Sequence, residues 1–226
     1  MNDMEQSAQQ AGGGPFAVRG VHLCESLLRH TPEQLDRFLE RVADWRCNTL
    51  TCVAPYGWKR YGPRLRAFCR ASDTRLIRFV HSTLAFGCEL ETGDFARDAS
   101  GLPRTEHPTN ETWLCVSRPA TLDRFRRGVR RFLEQEVEPG DELVIAPADG
   151  AAACACPDCR RLSAADQWNR LFAVAAEEAA AHGGLKIYFI AYVGRFCPPS
   201  DPAVLRRADG VCFDLHLRYR WAALED

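Results

Sequence analysis

The apolar residues of the chain follow two alternating patterns, one typical of β-strands and one typical of helices. Six short apolar runs predict strands, at residues 17–23, 48–55, 76–82, 142–147, 185–194 and 210–219. In the first helical stretch, Leu35, Leu39 and Val42 share one face. The stretch starts at Thr31 and Pro32, and Gln34 completes a capping box with Thr31. Further helices are predicted at residues 62–71, 122–133, 163–183 and 200–208, the third of these with Ser163 as its N-cap. Such alternation predicts parallel strands connected by right-handed helical crossovers.

Two architectures fit this alternation: a closed (β/α) barrel and an open, doubly wound sheet. No glycine-rich phosphate-binding motif follows the first predicted strand, which weakens the case for a nucleotide-binding open sheet. A complete barrel has eight strand-helix units in about 250 residues, whereas about six units are recognisable here. We therefore predict an α/β fold of the parallel (β/α) TIM-barrel type, incomplete, in a single domain over residues 16–226 that is truncated at its C-terminus. Residues 1–15 are predicted to form a disordered tail.

The composition narrows the classes of protein to which the chain can belong. Its 226 residues are 46% hydrophobic and 26% charged, which is enough to bury a substantial core. The 29 basic and 30 acidic residues give a net charge of -1, so no overall field attracts nucleic acid or an anionic membrane. The N-terminus lacks a secretory signal, which predicts a cytoplasmic protein. The 11 cysteines are an odd number and are expected to be reduced.

Polar and aromatic residues follow the carboxyl ends of the predicted strands, where ligands bind in parallel α/β folds. Carboxylates there can serve as acid, base or nucleophile at a glycosidic bond. The candidate catalytic residues are Asp149, Glu89, Glu91 and Asp214. Aromatic rings stack on the C–H faces of sugars, and arginine binds a carboxylate such as a uronate in two-pronged fashion. The candidate substrate-binding residues are His81, Tyr56, Trp58, Tyr192, Arg195, His216 and Arg218.

Each of these positions also has a purely structural explanation. A rim residue such as Tyr56 is more often a solvated loop position than a ligand. His81 and His216 continue strand patterns, so a hydrogen-bonded histidine of the core or rim competes with a substrate-binding one. Asp149 follows an apolar run and precedes a glycine, so it fits a loop cap as well as a catalytic acid. The arginine-rich face of the third helix is predicted to face solvent and to carry no chemistry.

Three cysteines lie close together in the segment ADGAAACACPDCRR, directly after the fourth predicted strand. Cys154, Cys156 and Cys159 supply three of the four thiolates of a tetrahedral zinc site, with Cys197, Cys88 or a histidine as the source of the fourth ligand. A redox pair formed by Cys156 and Cys159 is an alternative, but the rest of the thioredoxin motif is absent. We rank a structural loop clamp, with or without zinc, above a catalytic metal, and both above a redox pair.

The segment APADGAAACACPDCRRL resembles the strand-four segment of a bacterial family of uncharacterised function, whose pattern is roughly S-P-N-D-G-G-x-C-x-C-x-x-C. Two further segments, FAVRGVHL and DASGLPRTEHPTNETWLCVSRPATLDRF, resemble that family's opening strand and the segment before its third helix. The family's barrels are similar to those of α-glucuronidases and β-hexosaminidases. The resemblance implies a glycoside-hydrolase-like TIM barrel in which Asp149 matches the strand-four aspartate. Ala148 stands in place of the family's asparagine, and Gly150 follows where a hexosaminidase has the second acid of its Asp-Glu pair.

These observations lead to three hypotheses. The first is a glycosidase, without a required cofactor, in which Asp149 shares acid/base chemistry with Glu89, Glu91 or Asp214. The second is a non-catalytic carbohydrate-binding or structural barrel, with or without a structural zinc at the cysteine loop, that is either completed by a second copy or a partner chain or left open. The third is a metal-dependent hydrolase that uses the cysteine loop. Carbohydrate is the expected partner in the first two, and neither nucleic acid nor a membrane is expected.

Overall fold

The computed structural model describes residues 17–23, 29–54, 57–81, 85–86, 89–104, 113–147, 152–191 and 200–213. The strands are β1 (Gly20–Leu23), β2 (Thr49–Ala54), β3 (Arg75–His81), β4 (Glu142–Ala146), β5 (Lys186–Ala191) and β6 (Gly210–Phe213). The α-helices are α1 (Pro32–Asp44), α2 (Trp58–Ala71), α3 (Pro119–Glu136) and α4 (Ala164–His182). Short 3-10 helices lie at Thr92–Asp94, Cys159–Arg161 and Pro202–Arg207. None of the helices in these ranges is long and apolar enough to cross a lipid bilayer.

The six strands form one parallel sheet in the order β1–β2–β3–β4–β5–β6. In the register, Leu23 lies opposite Cys52, and Phe189 lies opposite Ile145 on one side and Val211 on the other. An open doubly wound sheet reverses its strand order at a switch point, whereas a barrel keeps the order of the chain. The predicted fold class, an incomplete parallel (β/α) barrel of about six units, is therefore confirmed.

Contacts within the chain define two compact units, with the boundary between Ile77 and Arg78. The single domain over residues 16–226 and its truncated end stay predictions. The predicted tail over residues 1–15 lies outside the described residues. Each unit has its own hydrophobic core.

The first unit builds a core from β1, β2 and the inner faces of α1 and α2. The capping box predicted for α1 is present: the Gln34 N–H donates to Thr31 Oγ1 at 3.2 Å, and the Thr31 N–H donates to Gln34 Oε1 at 2.8 Å. Helix α2 begins at Trp58, before the predicted start at Gly62. The buried indole of Trp58 covers Gly62 so closely that a Cβ there would lie 2.8 Å from the ring. Packing of this one side chain therefore accounts for the additional helical turn.

The second unit surrounds β4, whose residues are all buried. Helix α4 begins at the predicted cap, because the Asp166 N–H donates to Ser163 Oγ at 3.0 Å. The arginine face of α3 differs from the prediction, since it does not merely face solvent. Arg126 and Arg130 reach Glu178 of α4 at 3.1 and 3.0 Å, so these charges help to dock α3 on α4. The large rings of this core are Phe86, Phe125, Phe132, Trp168, Phe172 and Phe189.

Candidate metal centre and candidate active site

Four cysteine side chains meet in the core of the second unit. Cys115 precedes α3, while Cys154, Cys156 and Cys159 lie on the connection between β4 and α4. Their sulfur atoms all lie within 4.8 Å of one another. The Cys115 sulfur is 3.7 Å from the Cys156 sulfur and 4.0 Å from the Cys159 sulfur. The four residues are 1%, 2%, 8% and 0% exposed in chain order. A buried group of thiols at these distances can hold a metal ion.

Hydrogen-bond donors point at the sulfur atoms of this cysteine cluster. The Arg97 N–H lies 3.2 Å from the Cys154 sulfur, and the Cys159 N–H lies 3.4 Å from the Cys156 sulfur. The Ser117 hydroxyl is 3.5 Å from the Cys156 sulfur. Donors in these places stabilise negative charge on sulfur, which is the charge that a thiolate ligand carries.

Gln167 of α4 fixes the backbone of the cysteine loop. Its side-chain oxygen accepts the Cys154 N–H at 2.9 Å, and its amide nitrogen donates to the carbonyls of Cys154 at 3.1 Å and Cys159 at 3.0 Å. On the other side of the loop, the Ala155 N–H donates to the Arg97 carbonyl at 2.7 Å. The loop is therefore held by backbone hydrogen bonds to two different segments, and Gln167 itself is buried.

The cysteine pKa values shift in opposite directions because the thiols share hydrogen bonds. A hydrogen bond from the Cys159 thiol, supported by backbone N–H groups, lowers the pKa of Cys154 to about 4 against the effect of burial. The same contact, together with burial, raises the pKa of Cys159. Burial disfavours charge on Cys156, but donors from Ser117 and the Cys159 N–H outweigh it and lower the pKa of Cys156. The lowered pKa values of Cys154 and Cys156 favour the thiolate, which is the form of cysteine that binds a cation.

Cys115 is the member of the cluster that the sequence did not single out. Cys88 and Cys197, two predicted sources of a fourth ligand, lie outside the described residues. Cys115 lies in the apolar run WLCV, where a cysteine is expected to act as a small hydrophobe. Sheet topology offers the signal that was missed. The β3–α3 connection carries Cys115, and β3 neighbours β4 in the sheet, so loops at the carboxyl ends of the two strands can meet.

Glu89 and Glu91, two of the predicted catalytic carboxylates, pair with arginines of α3. Glu89 forms an ion pair with Arg131 and lies 3.7 Å from Arg127 Nε. Glu91 accepts a hydrogen bond from Arg124 at 2.8 Å. These ion pairs hold the segment after β3 against α3, so both carboxylates already have a structural role.

Most of the other predicted site residues lie outside the described residues, and two do not. Trp58 is 6% exposed, and the Arg66 guanidinium lies 4.9 Å from the centre of its ring. This packing explains the position of Trp58 without a bound sugar. His81 is the half-buried last residue of β3. The residues outside the described ranges are Asp149, Asp214, Tyr56, Tyr192, Arg195, His216 and Arg218.

Asp94 is a buried carboxylate that the sequence did not single out. Its side chain accepts hydrogen bonds from the Thr121 hydroxyl at 2.7 Å and the Glu91 N–H at 2.9 Å, and Arg124 lies at 3.4 Å. Its backbone carbonyl accepts the Cys115 N–H at 2.8 Å. Asp94 therefore connects the segment after β3 to the first turn of α3 and positions the residue that enters the cysteine cluster.

Comparison with known proteins identifies the fold and no family. No family profile and no curated protein matches the sequence. A noncanonic maltogenic α-amylase from Thermotoga neapolitana superimposes with a TM-score of 0.51 and 11% identity, over 87% of this chain and 49% of that chain. A GH36 α-galactosidase from Geobacillus stearothermophilus, AgaB, superimposes with a TM-score of 0.50 and 10% identity, over 86% of this chain and 30% of that chain. A variant of AgaA, a GH36 α-galactosidase from the same organism solved with stachyose, gives a TM-score of 0.51 at 10% identity over the same shares, 86% and 30%.

The fold is glycoside-hydrolase-like. At 10% and 11% identity, the likeness concerns the fold alone. The chain spans about half of the amylase, 49%, and about a third of the galactosidase, 30%.

Proposed function

We propose that the protein acts on a carbohydrate, such as a glycan containing uronic acids, by carboxylate acid/base chemistry of the glycosidase type. The fold shared with an α-amylase and an α-galactosidase supports this proposal. In (β/α) barrels the reacting groups stand at the carboxyl ends of the strands. Asp149 follows β4 at that end, and we assign it the role of acid or base at the glycosidic oxygen.

The observation that carries the proposal is that the described residues before and after the segment bearing Asp149 are both anchored. Before the loop, all residues of β4 are buried. After it, the backbone of Cys154 is bonded in both directions to Gln167, and the Cys154 sulfur lies inside the cysteine cluster. A catalytic carboxylate depends on a fixed position relative to the bond that it attacks. Anchored residues on both sides of the segment that carries Asp149 support its assignment as the reacting carboxylate.

A glycosidase needs a second carboxylate across the scissile bond. Glu89 and Glu91 are engaged by arginines of α3, so we favour Asp214, which directly follows β6, as the partner of Asp149. The residues proposed to contact the sugar are Tyr56, Tyr192, Arg195, His216 and Arg218.

Hydrolysis of aryl glycosides and glucuronides by the purified chain, compared with Asp149→Asn, tests the assignment. We expect the variant to lose at least about 100-fold in kcat/KM, as removal of a general acid or base typically does. Asp158→Asn is the matched control, because Asp158 is an exposed residue of the following cysteine loop, and it is expected to retain full activity. A chain that hydrolyses none of the substrates, or an Asp149→Asn variant with wild-type activity, removes the proposal.

The four-cysteine cluster favours a second candidate, a non-catalytic carbohydrate-binding or structural barrel. In this alternative the cysteine loop holds a structural zinc, and a second copy or a partner chain completes the barrel. Four sulfur atoms within 4.8 Å of one another resemble a structural zinc site more than a catalytic one, which keeps a position open for water. Glycan binding without hydrolysis, with a molecular mass above that of a monomer in size-exclusion chromatography, is the result expected from this candidate. Hydrolysis that depends on Asp149 excludes the non-catalytic role and leaves the structural zinc unaffected.

A further inference from the structure

The distances from the Cys115 sulfur to two other sulfurs of the cluster match a tetrahedral metal site and not a disulfide. A disulfide requires its sulfurs at about 2.05 Å. In a tetrahedral zinc site with bonds of about 2.3 Å, the sulfurs stand about 3.8 Å apart. The Cys115 sulfur lies 3.7 Å from that of Cys156 and 4.0 Å from that of Cys159. Cys115 therefore stands at ligand distance from two members of the C-x-C-x-x-C array.

We infer that Cys115 is the fourth ligand of a structural zinc ion held by the thiolates of Cys115, Cys154, Cys156 and Cys159. This inference rests on the structural zinc proposed above for the cysteine loop, and it identifies the ligand set. Four protein thiolates fill the tetrahedron and leave no position for water, so the ion stabilises the fold and takes no part in hydrolysis. Binding of Zn²⁺ converts each remaining thiol to a thiolate, and the protons leave to solvent.

The surroundings of the sulfurs fit a tetrathiolate centre. Zn²⁺ with four thiolates carries a net negative charge, which needs hydrogen-bond donors where water is excluded. The N–H of Arg97 and the N–H of Cys159 point at two of the sulfurs, at 3.2 and 3.4 Å. The Ser117 hydroxyl lies 3.4 Å from the Cys115 sulfur. Donors from three places in the chain therefore converge on a charge that the four sulfurs would share.

Cys115 gives the zinc ion a role that the C-x-C-x-x-C array alone does not have. The array by itself would close only a local loop. With Cys115, the ion cross-links the segment before α3 to the segment after β4, and the two cysteines at 3.7 Å are 41 positions apart in the chain. The Cys115 N–H is bonded to the Asp94 carbonyl, so the segment after β3 is attached to the same centre. The ion thereby fixes the loop that follows Asp149 to the neighbouring connection.

Zinc content measured by inductively coupled plasma mass spectrometry on the full chain, purified without added metal, is the first test. The wild type is expected to contain a stoichiometric zinc. In chelator competition, Cys115→Ser is expected to bind zinc more than about 100-fold more weakly than the wild type. A loss of this size exceeds the one caused by removing a residue that only hydrogen-bonds a metal ligand. Cys69→Ser is the matched control, because Cys69 is a buried thiol in the core of the first unit, and it should keep wild-type zinc affinity.

Alkylation of the wild-type protein provides a test that does not depend on how the variants fold. Cys115, Cys154, Cys156 and Cys159 should resist alkylation together in the native protein and become reactive together when a chelator removes the metal. Peptide mapping identifies the modified residues. Reactivity of Cys115 that is unrelated to the metal would overturn the assignment.

The possible outcomes test the fourth ligand separately from the zinc centre and from the glycosidase proposal. Wild-type protein without zinc, or with iron in its place, overturns the zinc centre as a whole. Wild-type zinc affinity in Cys115→Ser overturns only the fourth ligand. A disulfide between Cys115 and Cys156, found by peptide mapping of the unreduced protein, overturns the metal site in favour of an oxidised pair. None of these measurements depends on sugar hydrolysis, so the glycosidase proposal stands or falls separately.

Discussion

Glu178 is a carboxylate of α4 that lies almost buried between two arginines of α3. Arg126 and Arg130 contact its oxygens at 3.1 and 3.0 Å. Burial raises the pKa of Glu178, but hydrogen bonds from Arg130 and Arg126 outweigh it and hold the pKa below the usual 4.5. Because the folded pKa lies below the unfolded one, the ion pairs contribute their full stability above pH 4.5, and this stability is lost as the pH falls through the folded pKa.

Replacement of Glu178 by glutamine tests this residue-scale account. We expect the free energy of unfolding at pH 7 to fall by about 1 kcal/mol. The two arginines are partly exposed, so their ion pairs with Glu178 stabilise the fold more than a surface ion pair does and less than a buried one. The difference from the wild type should shrink as the pH drops below 4.5, where the wild-type carboxylate is itself protonated. Urea unfolding at a series of pH values measures it. Glu40→Gln, at an exposed position of α1, is the control, and a pH-independent effect of Glu178→Gln would contradict the ion-pair explanation.

Helix α3 approaches the chain at Phe86 so closely that only glycine fits between them. A Cβ at Gly128 would lie 1.8 Å from the Phe86 carbonyl oxygen. The ring of Phe86 packs edge-on against Phe125 and Phe132 on either side of this contact, with ring centres 5.6 and 5.2 Å apart. The aromatic packing of the second unit therefore depends on the absence of a side chain at Gly128.

Gly128→Ala is expected to destabilise the protein by about 1–3 kcal/mol or more, because backbone must move to relieve the overlap. This cost exceeds the roughly 1 kcal/mol that alanine gains over glycine inside a helix. Chemical denaturation measures the difference. Gly93→Ala is the control, since its Cβ would meet only the end of the Arg118 side chain, at 3.3 Å. Equal stabilities for the two variants would show that the Phe86 contact can relax at no cost.

The elements that the sequence predicted well are those whose signals are local. The Thr31 capping box and the Ser163 cap depend on residues within one helical turn, and both are present. The start of α2 was placed too late because it depends on how Trp58 packs against Gly62. The arginines of α3 were expected in solvent because their partner, Glu178, belongs to another helix. Local capping signals predicted the starts of α1 and α4, whereas packing decided the start of α2 and the contacts of the charged face of α3.

At the scale of the whole molecule, the alternation of strands and helices predicted parallel strands, and the absence of a glycine-rich motif after the first strand favoured the barrel, whose strands follow the order of the chain. The candidate metal centre was predicted only in part. The close spacing of the three cysteines in the C-x-C-x-x-C array predicts metal ligands. Cys115 can be recognised as a candidate ligand only after β3 and β4 are known to be neighbours. A ligand that comes from a distant segment leaves no periodic signal in the sequence.

Removal of the metal is expected to lower the melting temperature of the protein by about 8–16 °C. A ligand at 1,000 times its dissociation constant contributes about 4 kcal/mol, and each kcal/mol corresponds to roughly 2–4 °C in a chain of this size. Calorimetry before and after treatment with a chelator measures the shift, and added zinc should reverse it. Cys115→Ser is expected to show a much smaller response to the chelator. An unchanged melting temperature in the treated wild type would contradict a stabilising role for the metal.

The distance in sequence between Cys115 and the cysteine array has a consequence for how the chain matures. The array can collect an ion as soon as its own few residues are made, but with three sulfurs it can only hold that ion loosely. Cys115 is made before the array, but its sulfur can join the array only when β4 lies beside β3, which closes a long stretch of chain at an entropic cost. Tight retention of zinc would thus act as a checkpoint on assembly, since chains with a misplaced fourth strand would release the ion and expose reactive thiols.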